Sequence, residues 1–299
     1  MVNLPLPALN DPEGEALPQA VPPVVDAHVH LFPYIMFAAI WQWFDRFGWP
    51  VRYQLNSPEI MDFLLSRGVA RVVGLHYAHK PGIARYLNAY MAELCSTYPE
   101  LTGTATVFPG ERDAAAILEE AFQMGLRGVK LHAHVQYFEM DSDGMHEICR
   151  TCALHDRPLV MHVGREPRNP EYPYERDPYV TCRSDKLEQL LKEYPDLRIC
   201  VPHLGADEYG EYARMLEQYD NLWLDTTMVF ADYLPGNHPP RLADLRADRI
   251  MFGTDFPNIP YAWDREIKKL VALDLSEDAL ALILGKNAAD LFGMQGIEP

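Results

Sequence analysis

The sequence predicts an α/β fold, a single (β/α)8 TIM barrel preceded by a Pro-rich N-terminal arm and closed by C-terminal helices, and three observations predict it. Short β-rich apolar runs alternate with helical patterns from one end of the chain to the other, the signature of repeated βα units around a parallel sheet. Eight such runs are present. Polar residues stand at the C-terminal ends of many of them, where a barrel gathers its functional groups. An open doubly wound sheet is the alternative, but no glycine-rich phosphate-binding fingerprint follows the first strand. A length of 299 residues with 48% hydrophobic and 23% charged composition suits one such domain.

The elements follow in order. Residues 1–23 hold several prolines together with Asp11, Glu13 and Glu15 and read as an extended arm, so the barrel is expected over 24–299. Strands are predicted over 24–31 (VVDAHVHL), 70–78, 101–109, 126–133, 158–164, 198–205, 222–228 and 250–257. Segments with apolar residues at three- and four-residue spacing separate them: SPEIMDFLLSRG, IARYLNAYMAELCSTY, DAAAILEEAFQMG, GMHEICRTCALH, SDKLEQLLKEY, YARMLEQY and DREIKKLVAL. The helix after the seventh strand is short and poorly marked. A terminal helical pair, EDALALILGKNAADLFG, ends the pattern. The aromatic stretch YIMFAAIWQWFDRFGW after the first strand reads as a core or oligomer-interface helix, or as a hydrophobic wall over the pocket.

Composition excludes several classes. A formal net charge of -17 disfavours nucleic acid as a partner. The start lacks a basic region followed by an apolar one, and no stretch is long and apolar enough for a bilayer, so no membrane partner and a cytoplasmic location are expected. Five scattered cysteines argue against a disulfide framework, and the lone CxxC, Cys149 and Cys152, falls on a predicted helix as structural thiols.

The chemistry starts at His28 and His30. Residues i and i+2 of a strand share a face, so the two imidazoles project together near the barrel mouth. Later strand ends carry Lys130 and His132, then His162, His203 and Asp255. Closure places the first and eighth strands side by side, bringing Asp255 to the histidine pair, with His162 and His203 able to complete a cage. Imidazole and carboxylate suit a borderline divalent metal such as zinc, which lowers the pKa of water from 15.7 to roughly 7. Any one of these residues alone could be structural; a matched set on one rim is not a chance pattern.

The segments VVDAHVHLFP, GVKLHAHVQYF, PLVMHVG, CVPHLGADE and MFGTDFPNIPYAWDRE resemble the amidohydrolase superfamily, in its amidohydrolase-related branch with aminocarboxymuconate-semialdehyde decarboxylase and TIM-barrel metal-dependent hydrolases. The resemblance implies that His28, His30, His162 and Asp255 bind one divalent metal, usually zinc, with manganese as the other choice. It also implies that His203 orients or protonates beside bound water and that Asp255 doubles as general base. In other branches a carboxylated strand-four lysine bridges two metals, which leaves Lys130 open between that role, a substrate carboxylate and a pairing with Asp255.

Substrate contacts are expected from loops at the mouth. Arg165, three residues past His162, is the candidate carboxylate clamp, and Lys130, His132, Gln136 and Tyr77 add donors and aromatic surface. The first expectation is hydrolysis of an amide, ester or lactone of a small carboxylate-bearing molecule; the alternative is non-oxidative decarboxylation, a lyase reaction built on the same cage. A non-catalytic barrel would be expected to have lost a ligand. A homodimer is the expected assembly.

Overall fold

The computed structural model describes residues 10–18, 20–164, 169, 171–233 and 238–296. All eight strands form, each shorter than its predicted range: β1 Val25–His30, β2 Arg71–Leu75, β3 Leu101–Gly103, β4 Val129–His132, β5 Leu159–His162, β6 Ile199–Val201, β7 Leu222–Asp225 and β8 Ile250–Met251. All pairings are parallel and follow chain order, β1 to β3 in one sheet and β4 to β8 in another. Single bridges join the sheets at both seams, Ala105 to Val129 and Val29 to Phe256. Backbone bonds from Lys130 N to Ala105 O (2.8 Å) and from His30 N to Phe256 O (2.8 Å) complete the ring.

Ladder pairing stops early because the polar residues at the ends of the apolar runs turn out of it into the mouth loops. His203, Leu204 and Ala206 adopt φ of 58°, 48° and 47°, and Asp255 adopts 68°. Left-handed backbone costs a side-chain-bearing residue about 1–2 kcal/mol, so such positions persist only where their surroundings hold them.

Helices cover the outside as the spacing predicts. Ser57–Ser66 starts with a capping box between Asn56 and Glu59, and Asp143–Leu154 starts on the Ser142 hydroxyl. Cys149 and Cys152 are free and buried on the latter helix. Between β7 and β8 the described residues carry only short 3-10 turns, Leu242–Asp244 and Ala247–Arg249. The C-terminal pair is bridged by a π-helical turn over Leu282–Lys286. Its last helix, Asn287–Phe292, packs Ala288, Leu291 and Phe292 against Val25, Ala27, Val73, Leu75, Val160, Cys200 and Met251, residues drawn from five strands. That close packing explains Gly285, where a Cβ would lie 2.5 Å from Pro23 O.

The aromatic stretch forms the helix Tyr34–Phe47. Phe37 and Trp41 are buried and stack at 5.4 Å, and Phe37 meets Phe32, which stacks in turn on His30 at 6.0 Å. The inner face of this helix is therefore a wall behind the histidine pair, while Tyr34 and Ile35 stay exposed. No helix among the described residues is long and apolar enough to cross a membrane.

Candidate metal centre

His28 and His30 share one side of β1, with ring centroids 5.1 Å apart. Asp255 joins them across the seam, its amide donating to His28 O at 2.9 Å. Its Oδ1 lies 3.0 Å from His30 Nε2 and 3.4 Å from His28 Nε2, and one ligand atom from each of the three residues falls within 4.8 Å of the others. All three are buried.

Asp225, at the end of β7, sets the protonation of His28. Its Oδ2 lies 2.8 Å from His28 Nδ1. Burial pushes the His28 pKa down to about 4, so at neutral pH the ring carries one proton. A carboxylate can only accept, which puts that proton on Nδ1 and leaves Nε2 with a bare lone pair facing the cluster. Burial pushes Asp225 upward, but the adjoining His28 ring, with His203 and Thr227, more than reverses this and holds the carboxylate ionised. Asp255 follows the same pattern: burial raises it, and the hydrogen bond and charge of His30, with His28 beside it, bring it down to about 2.

His162 and His203 form the adjoining pair. Asp225 Oδ1 accepts from His203 N at 3.0 Å, and Thr227 O accepts from His203 Nδ1 at 2.9 Å. A carbonyl cannot donate, so Nδ1 carries the His203 proton when the ring is neutral. His203 Nε2 then accepts from His162 Nδ1 at 3.2 Å, which leaves the His162 Nε2 lone pair bare. His162 thus has the tautomer of a ligand, but it stands beside the compact group of His28, His30 and Asp255 and outside it. Burial, with smaller contributions from His132, His203, His134 and Lys130, keeps its pKa well below the usual imidazole range.

Six rings close on one another around this site. His28 meets His30 (5.1 Å), His30 meets Tyr77 (5.9 Å), Tyr77 meets His132 (4.9 Å), His132 stacks on His162 (4.1 Å), His162 meets His203 (4.7 Å), and His203 returns to His28 (5.6 Å). Lys130, on the same strand as His132, is completely buried and its ammonium has no hydrogen-bond partner among the described residues. Burial lowers its pKa to about 8, against the pull of Asp225 and Asp255. A buried cation without a partner is costly unless an anion reaches it.

The other expected substrate contacts divide. Tyr77 and His132 stand in the ring. Gln136 does not reach it as a donor: both amide hydrogens go to backbone, Nε2 donating to Ala78 O and Val107 O at 2.9 Å each, while Oε1 accepts from His132 N at 2.8 Å. Its geometry is that of a brace between mouth loops. With His79, Lys80, Tyr137 and Arg176 it lines a separate groove of about 560 Å³, which none of the triad lines. Arg165 lies outside the described residues, as do Glu166 and Arg168 of the same loop.

Two carboxylates went unremarked in the sequence. Asp225 ends the buried run LWLD much as Asp255 follows MFGT. Asp26 is buried two residues before His28, where it accepts from Thr254 Oγ1 (2.6 Å), Thr254 N (3.1 Å) and His28 N (3.2 Å), tying β1 to the segment that carries Asp255. Burial raises its pKa to about 7.

The donor set fits a divalent metal. Among the described residues His28 Nε2 and His30 Nδ1 are buried without hydrogen-bond partners, and two imidazoles with one carboxylate suit zinc or manganese.

Comparison with known proteins agrees with this architecture. An amidohydrolase II structure shares 19% identity, with TM-score 0.69 and coverage of 90% of this chain and 99% of the other. A 2,6-dihydroxybenzoate decarboxylase from Rhizobium shares 18%, with TM-score 0.63 and coverage of 92% and 100%. A 5-carboxyvanillate decarboxylase from Novosphingobium aromaticivorans, complexed with manganese and 4-hydroxy-3-methoxy-5-nitrobenzoic acid, shares 17%, with TM-score 0.63 and coverage of 96% and 100%. At these identities the likeness establishes the TIM-barrel fold. No curated protein matches by sequence. The family model described as Amidohydrolase matches residues 25–294, and the chain belongs to that family.

Proposed function

We propose that the chain is a metal-dependent, non-oxidative decarboxylase of a small aromatic or unsaturated carboxylic acid. The carrying observation is the buried ring: five imidazoles and Tyr77 surround a site in which Asp255 is 8% exposed and the Lys130 ammonium is buried without a partner among the described residues. A carboxylate entering such a site loses its hydration, while the unpartnered cation compensates its charge. Loss of carbon dioxide disperses that charge and needs no water, whereas hydrolysis must admit a water molecule. The names of relatives with the same fold, 2,6-dihydroxybenzoate and 5-carboxyvanillate decarboxylases, support the same reading.

A bound divalent metal would supply a Lewis-acidic charge that anchors the anionic substrate. His28, His30 and Asp255 would hold it, with His162 as the fourth donor the resemblance implies. Zinc is the metal expected from the sequence, and the manganese in a relative supports manganese equally. In this reading the bond from the substrate carbon to its carboxylate breaks, the electron pair stays on that carbon, and a proton taken from solvent and handed on by the Asp255 carboxylate replaces the departing carbon dioxide. His203, fixed by Asp225 and Thr227, orients the substrate from its place in the ring between His162 and His28. Lys130 meets the carboxylate, a role also proposed for Arg165, and Tyr77 stacks on the substrate.

Hydrolysis of an amide, ester or lactone is the second reading, favoured by the amidohydrolase II relative and by the placement of the Asp255 carboxylate as a base with His203 nearby. The test is to supply manganese or zinc to the purified protein and screen hydroxybenzoates, unsaturated acids, lactones and amides. Carbon dioxide release with one solvent deuteron in the product is expected, reduced about 10²–10⁴-fold in Asp255→Asn. Incorporation of ¹⁸O from water without carbon dioxide release would overturn decarboxylation in favour of hydrolysis.

A further inference from the structure

The segment that follows Asp255 is held almost residue by residue from outside the barrel. Phe256 packs on Tyr53 at 4.8 Å and on Phe63 at 5.1 Å. Trp49 Nε1 donates to Asn258 O at 2.7 Å, and Arg52 N donates to Ile259 O at 3.0 Å. From Ala262 onward the holder is the N-terminal arm. Asp11 Oδ2 accepts from Ala262 N at 3.3 Å, Gly14 O accepts from Trp263 Nε1 at 3.1 Å, and Gly14 N donates to Asp264 Oδ2 at 2.8 Å. Tyr53 links the two sets: its hydroxyl donates to the Glu13 carboxylate and accepts from Trp263 N at 3.0 Å. Arg52 fastens the arm in turn, donating to Asp11 O at 2.8 Å and Glu13 Oε2 at 3.0 Å.

The arm's contacts with 262–264 join residues about 250 positions apart in sequence, on a segment that begins with Asp255 in left-handed backbone. That conformation costs an aspartate free energy and must be maintained by its surroundings. The approach is close: a Cβ on residue 14 would lie 2.7 Å from Asp264 Oδ2, so the arm or the Asp264 carboxylate would have to shift. The arm thus contacts its own chain's metal-site loop.

We propose that the N-terminal arm is a strap whose residues Asp11, Glu13 and Gly14, working through Tyr53 and the loop 262–264, position Asp255 for metal binding. They are positioning residues, remote from the substrate. The proposal rests on the reading of His28, His30 and Asp255 as a metal centre. It predicts that loosening the strap weakens the metal site more than it weakens the fold.

The test uses the full-length protein and manganese or zinc alone. Gly14→Ala and Tyr53→Phe are compared with the parent by chelator competition for metal affinity and by the Tm of the metal-free protein. Ile117→Val, a substitution in the buried face of the helix Ala114–Gln123, supplies a variant with lowered Tm and an intact strap. The expected result is a metal affinity lowered about tenfold in both strap variants, in the range found for groups that orient ligands, and unchanged in Ile117→Val. Strap variants that lose Tm but keep the parental affinity would overturn the proposal and leave the metal centre intact. A parent that binds neither metal would overturn the metal centre and the strap together.

Discussion

Asp225→Asn tests the tautomer argument at its base. In the parent, Oδ2 accepts from His28 Nδ1 at 2.8 Å, while Oδ1 accepts from His203 N at 3.0 Å and Thr227 N at 3.2 Å. An asparagine has one oxygen, and the two backbone amides claim it. Its NH2 then faces the His28 Nδ1 proton, donor against donor. Relief requires His28 to move its proton to Nε2, which removes the lone pair aimed at His30 and Asp255. Groups that orient metal-binding histidines typically contribute 10–100-fold in affinity, about 1.4–2.8 kcal/mol. Chelator competition with manganese or zinc measures this directly, and circular dichroism checks that the barrel persists. Affinity within about twofold of the parent would refute the reasoning, because it would mean that the His28 tautomer does not depend on Asp225.

Other outcomes follow from the same geometry. His28→Ala should purify without bound divalent metal and lose the rise in Tm that added metal gives the parent, about 2.7 kcal/mol of stabilisation at a hundredfold excess over Kd; metal content by mass spectrometry checks it. Gly205→Ala places a Cβ 1.9 Å from Tyr212 Cδ2 at a φ of +89°, so thermal or denaturant unfolding should show a loss of about 2–5 kcal/mol from backbone strain and overpacking. An alanine variant as stable as the parent would show that the Tyr212 ring yields freely. Glu188 is held down to about 2 by hydrogen bonds from Arg214 and then Tyr219 and Lys192. A lowered carboxylate pKa contributes stability above its unfolded value, about 4.3, and loses it as pH falls towards 2. The Tm difference between the parent and Glu188→Gln should therefore narrow between pH 5 and pH 2, and a constant difference would count against the Arg214 pairing.

Strand number and rim position were legible because they depend on patterns local to the sequence. An apolar run of β-rich residues is a strand wherever its neighbours lie, and a histidine two residues from another shares its face. Closure then brings Asp255 to His28 and His30 without knowledge of any contact, and the structure places these three together. Strand lengths were less legible, because ladder pairing ends where backbone turns left-handed, and His203 and Asp255 do so without a glycine to announce it.

What the pattern could not supply was the direction of each polar group's hydrogen bonds. Gln136 and His132 stand four residues apart after the same strand and read alike as substrate donors. One spends its amide on carbonyls 58 and 29 residues away, and the other stacks on His162. Asp225 and Asp255 both end buried runs, yet one orients an imidazole from behind while the other faces the site. The distinction lies in partners on other strands, which periodicity does not encode. It also has a chemical consequence: a carboxylate behind His28 keeps its lone pair pointing inward, so the weak HxH motif becomes a competent donor pair only through a residue almost two hundred positions away.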